Sequence, residues 1–471
     1  MGGLPHVFVD LGIILILVAG ITQFRSPRTA RRGNLTEALA LALATATILS
    51  RSPITGLSIV IPAALLGTLA GWQMAVRTGM VQIPAMVAFQ HGMGGVAAML
   101  ISLVELTRET SAPLAPVGIA SGLLGLVVGA ATFSGSMVAS GKLAGRLRQT
   151  PVVLPAHSGL VLALATAILV MAIFLGWFAW LTLLTTAVLA LTAAALGIVF
   201  SVRIGGADMP VLISFLNATA GLAASLCGVT IQNRLLIACG ATVAASGSIL
   251  THVMCRAMNR RLAAVFVGLD AERSPSERTP PESLAPAPAP EEELETSTDA
   301  PTPLDRAAEA ARGARTVIIV PGYGMALAQA QFEVVQLARR LEELGKTVRF
   351  AIHPVAGRMP GHMHVLLAEA DVEYDRLQEM DQINPAFKDT DVVLVVGACD
   401  VVNPAAIDVQ GTPISGMPIL MAHEARQIVV CNLDERPGYS GVDNPLYRSP
   451  KAVLLLGDAR DRVAALRAAL A

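Results

Sequence analysis

Residues 1–260 are dominated by long apolar runs, whereas the rest of the chain alternates short apolar segments with polar ones. A membrane-spanning helix needs about 20 mainly apolar residues, and the first part holds about nine candidates of that kind. They lie near residues 4–24, 35–50, 54–76, 82–106, 114–140, 152–174, 177–201, 208–230 and 235–257. The pattern predicts a polytopic α-helical membrane bundle over residues 1–265.

The apolar segments after residue 305 are too short to span a membrane. They predict strands at 316–320, 348–352, 391–396, 427–431 and 452–456, with helices at 306–312 and 325–344. Buried strands that alternate with helices are typical of a doubly wound parallel sheet. We therefore predict that an α/β Rossmann-like, doubly wound parallel-sheet domain over residues 305–471 follows the membrane bundle.

Residues 266–304, between the two predicted domains, are rich in proline, alanine and glutamate. Such a segment buries too little apolar surface to fold, and its prolines favour an extended, semi-rigid chain. We expect a flexible linker that lets the second domain move relative to the first.

Charge and cysteine content exclude several function classes. The formal net charge is -1 at pH 7, whereas a nucleic-acid-binding chain carries a basic footprint, so no nucleic-acid partner is expected. The five cysteines are scattered without CxxC spacing, so neither a disulfide framework nor a metal site is expected.

Basic residues in short loops stay on the cytoplasmic side of a membrane and so indicate orientation. If the N-terminus lies outside, the inner helix ends hold Arg25, Arg28, Arg31, Arg32, Arg77, Lys142, Arg146, Arg148, Arg203, Arg256, Arg260 and Arg261, and the outer ends hold only Arg51, Arg108 and Arg234. This bias predicts a multi-pass protein whose C-terminal domain lies in the cytoplasm.

A glycine turn, Gly322-Tyr323-Gly324, lies between a predicted strand and a predicted helix. In dinucleotide-binding folds the first glycine makes the tight turn, and the second lets the backbone approach a pyrophosphate at the helix N-terminus. The third glycine position holds Leu327. The fingerprint is therefore incomplete, and an ordinary turn is an equal alternative.

Two further loops follow strand ends, where open parallel sheets bind ligands. In the first, the planar fork of Arg358 suits a phosphate, and a solvated loop arginine is the alternative. In the second, Asp400 lies where a ligand edge would pass, and a loop-capping aspartate is the alternative. The candidate residues are Val355, Ala356, Gly357, Arg358, Met359, Pro360, Gly397, Ala398, Cys399, Asp400 and Asn403.

Several segments match one protein family in order along the chain. Residues 322–331, 353–363, 366–370, 397–404, 416–418, 438–442 and 457–459, together with 131–136, 205–210 and 254–260, are similar to the beta subunit of proton-translocating NAD(P) transhydrogenases. The resemblance covers nearly the whole chain. It adds Asn432, Leu433, Asp434, Tyr439, Gly457, Asp458 and Ala459 to the candidate nucleotide-binding residues.

The resemblance implies an oxidoreductase and translocase of the bacterial inner (plasma) membrane that is active only with a partner. A separate alpha subunit would bind NAD(H), this chain would bind NADP(H), and hydride would pass directly between the two nicotinamides without a catalytic side chain. Proton passage through the membrane domain would drive NADPH formation, and alpha-beta units would pair as a dimer in the lipid bilayer. The dinucleotide would lie reversed across the sheet edge, so the glycine turn need not contact it in the usual way.

Four polar residues of the membrane part are candidates for the proton path, because ionisable groups inside a membrane are costly. His91 matches the family's proton-relay histidine and can exchange a proton near neutral pH; a hydrogen-bonded packing histidine is the alternative. Asn233 matches a family asparagine near the path, although a polar helix-end residue gives the same pattern. Asp208 begins a helix, so capping competes with a coupling role. His252 lies outside the family pattern and either joins the relay or packs.

The segment that follows Cys431 departs from the family. After the strand that ends at Cys431, the family places a Lys-Arg-Ser triplet that holds the ribose 2′-phosphate, and this chain has Asn432, Leu433 and Asp434. A carboxylate suits a free 2′-hydroxyl and repels a 2′-phosphate, while Arg436 offers a compensating charge after a loop shift. The departure predicts a weakened preference for NADP(H), with NAD(H) as the alternative nucleotide. It also leaves open a nucleotide-gated proton transport or sensor protein without hydride transfer.

Overall fold

The computed structural model describes residues 4–23, 27–51, 56–79, 82–108, 114–148, 152, 154–178, 181–205, 208–257, 301–357, 361–438 and 440–470. The chain separates into two compact units, Met1–Arg256 and Ala257–Ala471. The predicted linker at 266–304 lies outside the described residues except for its last four, so its extended form and the predicted domain boundaries stay predictions.

The described part of the first unit contains nine helices that are long and apolar enough to cross a membrane. They are α1 (Leu4–Gln23), α2 (Pro27–Arg51), α3 (Leu57–Arg77), α4 (Ile83–Thr107), α5 (Pro116–Leu143), α6 (His157–Phe178), α7 (Leu183–Arg203), α8 (Met209–Thr230) and α9 (Arg234–Ala257). The predicted helical membrane bundle is confirmed. The second predicted span, 35–50, was too short. The first turns of α2 contain the charged residues Arg31 and Arg32 and therefore do not appear as part of an apolar run.

Small residues bring the membrane helices together. A Cβ atom on Gly95 of α4 would lie 2.9 Å from the Gly129 carbonyl oxygen of α5, and one on Gly129 would lie 2.7 Å from the Gly95 carbonyl oxygen. Gly221 of α8 faces α9 in the same way, since a Cβ atom on it would lie 2.5 Å from the Ala244 amide nitrogen. Apolar side chains gain little by leaving lipid for protein, so close backbone packing supplies much of the attraction between such helices.

Lys142 is a charged residue that the sequence places at an inner helix end but that the structure buries. Its side chain is 3% exposed, and its Nζ donates hydrogen bonds of 2.6 Å to the carbonyl oxygens of Val202 and Ile204. The last carbonyl groups of a helix lack partners within the helix. Lys142 therefore ties the end of α5 to the end of α7.

The second unit contains a six-stranded sheet in which every pair of neighbouring strands is parallel. The strands are β1 (Thr316–Pro321), β2 (Thr347–Ile352), β3 (Leu377–Glu379), β4 (Val392–Val396), β5 (Gln427–Cys431) and β6 (Ala452–Leu454), in the spatial order β3-β2-β1-β4-β5-β6. The predicted α/β doubly wound parallel sheet is confirmed. The edge strand β3 was missed, because three residues are too few to show a pattern.

The helices of this unit are α10 (Pro303–Gly313), α11 (Tyr323–Leu327), α12 (Gln331–Glu343), α13 (His362–Glu369), α14 (Met380–Ile383), α15 (Ala405–Asp408) and α16 (Ala459–Ala469). The single helix predicted over 325–344 was wrong. The chain turns between α11 and α12, where Gln329 adopts the left-handed conformation with φ of 51°. Central strands such as β4 are buried along their whole length, so the ends of the strands are the places where polar side chains gather.

The α4–α5 contact makes a direct prediction for Gly129→Val. The added side chain would meet the α4 backbone, and overpacking of this kind costs about 1–3 kcal/mol. We expect a lower unfolding midpoint for the detergent-solubilised protein, measured by circular dichroism during heating. Gly71→Val in α3 is the matched control, since a Cβ there meets nothing within 4 Å. Equal midpoints for the two variants would contradict the close α4–α5 contact.

Candidate functional site

The carboxyl ends of the parallel strands converge on one edge of the sheet, here called the carboxyl edge, and the strand order reverses between β1 and β4. Open α/β sheets bind ligands in the crevice that forms at such a reversal. Every predicted nucleotide-binding residue that the structure describes lies in a loop that follows β1, β2, β4, β5 or β6, or in the first turn of the helix after that loop.

The glycine turn after β1 packs directly on the loop after β4. The Gly322 amide donates to the Val396 carbonyl oxygen at 2.8 Å, and the Gly324 amide donates to the Gly397 carbonyl oxygen at 2.8 Å. A Cβ atom on Gly322 would collide with the Gly397 backbone. Glycine is therefore required for the approach of two loops, and both amide hydrogens already face protein. Tyr323 begins α11 beside this contact.

A buried histidine anchors the loop after β2. The Nδ1 of His353 accepts a hydrogen bond from the Val355 amide at 3.3 Å, so its Nε2 carries the proton and donates to the Pro418 carbonyl oxygen at 2.8 Å. Burial lowers the pKa of His353 to about 4, because water no longer stabilises the imidazolium form. The Ala356 amide bonds to the His353 carbonyl oxygen, which completes the turn.

Gly357 continues this loop in the left-handed region, with φ of 102°, and a Cβ atom there would collide with the His362 ring. The glycine therefore lets the loop turn closely over the start of α13. Arg358, Met359 and Pro360 lie outside the described residues, so their nucleotide-binding role stays a prediction.

Asp400 and Asn403 connect the loop after β4 to the segment 438–443. The Asp400 carboxylate accepts hydrogen bonds from the Ser440 hydroxyl at 2.6 Å and from the Ser440 amide at 3.0 Å. The Asn403 Nδ2 donates to the Asp443 carbonyl oxygen at 3.2 Å, and its Oδ1 accepts from the Ala405 amide at 3.0 Å. Both Asp400 and Asn403 therefore cap loops. These hydrogen bonds do not depend on a ligand.

Asn432, the first residue after β5, turns into the protein. Its Nδ2 donates to the Ala398 carbonyl oxygen at 3.0 Å and bonds to the Tyr447 hydroxyl at 2.7 Å. Burial raises the pKa of the Tyr447 phenol and of the nearby Cys399 thiol, so both groups are neutral in this network. Tyr447 helps to hold Asn432 and the Ala398 carbonyl group in place. The sequence did not reveal this role, because Tyr447 lies far along the chain from Ala398.

The two residues after Asn432 face outward. Leu433 is 72% exposed. The Asp434 carboxylate accepts a hydrogen bond from the Arg436 amide at 3.0 Å and lies 3.7 Å from the Arg436 Nε. No positive charge therefore comes from the three residues Asn432, Leu433 and Asp434. The nearby cation Arg436 is paired with Asp434. Tyr439 lies outside the described residues.

The loop after β6 completes the carboxyl edge. The Gly457 amide donates to the Asn432 carbonyl oxygen at 2.9 Å, so the β5 and β6 loops are hydrogen-bonded to each other. Asp458 caps α16 by accepting a hydrogen bond from the Arg460 amide at 2.9 Å, and Ala459 is buried at the first turn.

The four candidates for the proton path lie in different parts of the membrane unit. Asp208 and Asn233 flank the 22-residue helix α8 at opposite ends, which separates them by about 33 Å along the helix axis. The Asn233 Oδ1 accepts from the Leu236 amide at 3.1 Å and caps α9, whereas Asp208 makes no side-chain capping bond to α8. His91 is half-buried in α4, and His252 is exposed on α9.

The family model of the NAD(P) transhydrogenase beta subunit matches residues 7–469. The chain is 38% identical to NAD(P) transhydrogenase subunit beta of Rhodospirillum rubrum over an alignment of 465 residues that covers 96% of each chain. A second sequence with that name, from a strain of the same species, gives the same identity and coverage. The chain belongs to the NAD(P) transhydrogenase beta subunit family. It is therefore a membrane protein of a family of oxidoreductase subunits, and its carboxyl edge is that of a nucleotide-binding fold.

One polar residue in the middle of a membrane helix was not among the residues predicted from the sequence. Asn217 lies in the middle of α8 and is half-buried. A Cβ atom on Gly247 of α9 would lie 3.0 Å from the Asn217 Nδ2, so the amide stands at the α8–α9 contact. An amide inside an apolar helix is itself a signal of function in a membrane protein.

The neutral state of His353 gives this transhydrogenase subunit a pH dependence in the second unit. The pKa is 6.5 in the unfolded chain and about 4 in the folded chain. As the pH falls from 6.5 to 4, the unfolded state alone binds the proton, so stability falls by up to about 1.4 kcal/mol per pH unit. All four tyrosines lie after residue 300, so near-ultraviolet circular dichroism of tyrosine reports the unfolding of this unit.

His353→Gln is the matched variant, since an amide can still donate to the Pro418 carbonyl oxygen but does not titrate. We expect its stability to fall less than that of the wild-type chain over this window. Parallel curves for the two chains would show that His353 does not cause the loss.

Proposed function

We propose that this chain is the membrane-embedded subunit of a proton-translocating transhydrogenase. Its carboxyl edge binds NADP(H), a partner alpha subunit binds NAD(H), and hydride passes between the two nicotinamides. The observation that carries the proposal is the combination, within the described residues of a chain of this family, of nine apolar helices with a parallel sheet whose loops converge at a strand-order reversal. Such a chain joins a nucleotide site to a route across the membrane.

The described residues of the carboxyl edge are suited to holding a dinucleotide in one orientation. Asn432 is 8% exposed, and its Oδ1 has no hydrogen-bond partner among the described residues. This acceptor is closed off by protein, so a donor on a bound nucleotide reaches it only if the Asn432 side chain turns outward. Most other polar groups of this edge are fixed by protein hydrogen bonds, so the loops form a stiff platform. Hydride transfer between two nicotinamides depends mainly on such positioning.

His91 is the group best placed to exchange a proton within the membrane unit. It lies in α4, next to Gly92, whose Cβ position is 3.0 Å from the Ser136 Cβ of α5. His91 itself is half-buried, so its side chain is only partly exposed to lipid. Asp208 and Asn233, at the two ends of α8, mark the inner and outer sides of the proposed route in the orientation predicted from loop charge.

The assembly that we propose is a dimer of alpha-beta units in a bacterial inner membrane, with the N-terminus of this chain outside and residues 301–471 in the cytoplasm. Helix α3 has no buried residue. Its apolar surface is therefore covered in the membrane either by lipid or by helices of partner subunits.

The second candidate function is a nucleotide-gated proton transporter or sensor that binds NAD(H) or NADP(H) without hydride transfer. The observation that favours it is the acidic segment Asn432 to Asp434, which supplies no cation for a 2′-phosphate. The two functions differ in whether the complex with an alpha subunit oxidises one nucleotide while reducing the other.

Hydride transfer by the co-purified alpha-beta complex in sealed vesicles separates these functions. We expect transfer between NADPH and an NAD⁺ analogue, at a rate that changes when an uncoupler dissipates the proton gradient and does not change in leaky vesicles. Nucleotide binding without hydride transfer would support the sensor instead. Transfer that is indifferent to the uncoupler in sealed vesicles would remove proton coupling from the proposal.

The membrane candidates predict a difference between two histidine variants. His91→Ala removes the proposed exchanging group, so we expect loss of most proton pumping while NADP⁺ binding remains. His252→Ala changes an exposed α9 residue and is expected to leave pumping within about twofold, since surface substitutions have small effects. Quenching of a pH-sensitive dye in vesicles measures both. Normal pumping by His91→Ala would exclude His91 from the route.

A further inference from the structure

The carboxyl end of β5 does not by itself suit a ribose 2′-phosphate. Asn432 faces inward, Leu433 is apolar and exposed, and Asp434 carries a negative charge. A phosphate monoester bears nearly two negative charges at neutral pH, so a carboxylate at this place would repel it. If NADP(H) binds here, another part of the chain must supply the positive charge.

Arg436 is the nearest cation in sequence, but it is already paired. Its guanidinium lies 3.7 Å from the Asp434 carboxylate, and its side chain is 87% exposed. The pair has almost no net charge, and the exposed Arg436 side chain can move in solvent. Arg436 therefore offsets Asp434 rather than adding a net positive charge.

Arg462 lies at the same edge, although it is 30 positions after Asn432 in the chain. It stands in the first turn of α16, and its side chain folds back over Gly457. An ideal Cβ on Gly457 would lie 2.7 Å from the Arg462 Nε and 3.1 Å from its Nη2. Because the Gly457 amide is bonded to the Asn432 carbonyl oxygen, the guanidinium lies next to the ends of both β5 and β6.

The buried thiol of Cys431, the last residue of β5, lies within the electrostatic influence of this guanidinium. Burial raises the pKa of Cys431 to about 12, and the positive charge of Arg462 acts in the opposite direction. An influence on that thiol requires the guanidinium to be near the strand end that precedes Asn432.

The guanidinium of Arg462 is available to a ligand. Among the described residues, no carboxylate lies within ion-pair distance of it. The nearby Asp458 carboxylate is engaged in capping the Arg460 amide, and Asp461 is exposed beside it. A cation in the first turn of a helix opposes the helix dipole. Its position therefore brings no evident gain in stability, while a planar fork of donors suits a phosphate.

We propose that Arg462 holds the ribose 2′-phosphate of NADP(H) in this chain and thereby replaces, from the last helix, the cations that the β5 loop lacks. This rests on the proposed function, in which the carboxyl edge binds the dinucleotide with its adenosine ribose at the end of β5. Gly457 makes the arrangement sterically feasible, because a side chain there would displace the guanidinium. The chain therefore prefers NADP(H) over NAD(H) despite Asp434.

The test is nucleotide binding to the full-length chain in detergent, measured by isothermal titration calorimetry with NADP⁺ and with NAD⁺. Loss of a charge-assisted contact predicts that Arg462→Gln weakens NADP⁺ binding about 10- to 100-fold and changes NAD⁺ binding by less than about twofold. The NADP⁺ affinity of the variant should also depend less on salt concentration. Arg462→Lys keeps the positive charge but loses the planar fork of donors. Its affinity for NADP⁺ should lie between that of the wild type and that of Arg462→Gln.

Two further variants make the result specific. Arg460→Gln removes the same charge from the same helical turn and should keep the wild-type preference for NADP⁺. Arg436→Gln leaves Asp434 without its paired cation and should weaken NADP⁺ binding, but less than Arg462→Gln does. Tyrosine circular dichroism should show that Arg462→Gln is folded, with an unfolding midpoint equal to or above that of the wild type.

Three results would overturn the role of Arg462 while leaving nucleotide binding intact. They are an equal loss of affinity for both nucleotides in Arg462→Gln, a larger loss of NADP⁺ preference in Arg436→Gln than in Arg462→Gln, and a wild-type chain that binds NAD⁺ as tightly as NADP⁺. A folded wild-type chain that binds neither nucleotide would instead remove the proposed function itself.

Discussion

The hydrogen bonds between the glycine turn after β1 and the loop after β4 fix the geometry of the whole carboxyl edge. Gly322 and Gly324 donate to Val396 and Gly397, which locks together the two strands between which the sheet order reverses. The Ala398 carbonyl oxygen, one residue on, then accepts from Asn432 and Tyr447. Since these contacts connect the ends of β1, β4 and β5 in sequence, a shift in the glycine turn would move every loop that borders the crevice. The glycines therefore serve the packing of these loops against one another.

Close backbone approach has the same importance in the membrane unit, for a different reason. In water, the loops approach because burial of the apolar strands brings them together. In lipid, helices gain little from burying apolar side chains, so glycine contacts such as Gly95 with Gly129 contribute directly to association. His91 lies on the helix that carries these glycines. Its distance from α5 is therefore set by the smallest residues of the bundle, and its surroundings are sensitive to changes that leave the histidine itself intact.

Periodic features of the sequence were enough to predict the fold. They did not predict contacts between residues that are distant in the chain. Apolar runs located the membrane helices, and buried strands located the parallel sheet, because each depends on residues close together in the chain. The break at Gln329 was missed, since a left-handed residue between two helices leaves no hydrophobic pattern. The burial of Lys142 was missed because its acceptors, the carbonyl groups of Val202 and Ile204, belong to another helix. At the carboxyl edge, the loops were located correctly, but neither the inward turn of Asn432 nor the support from Tyr447 could be read from spacing.

The charge at the carboxyl edge depends on residues that are close in space but distant in the chain. A phosphate responds to the distance and direction of positive charge, and the segment of the chain that carries the charge is irrelevant to it. Compared segment by segment, residues 432–434 indicate that a 2′-phosphate is rejected. In three dimensions, the hydrogen bond from Gly457 to Asn432 brings the last helix to the same place, and Arg462 comes with it. An acidic residue in the β5 loop is then compatible with NADP(H), because Arg436 neutralises Asp434 and Arg462 remains as the net cation beside the strand ends.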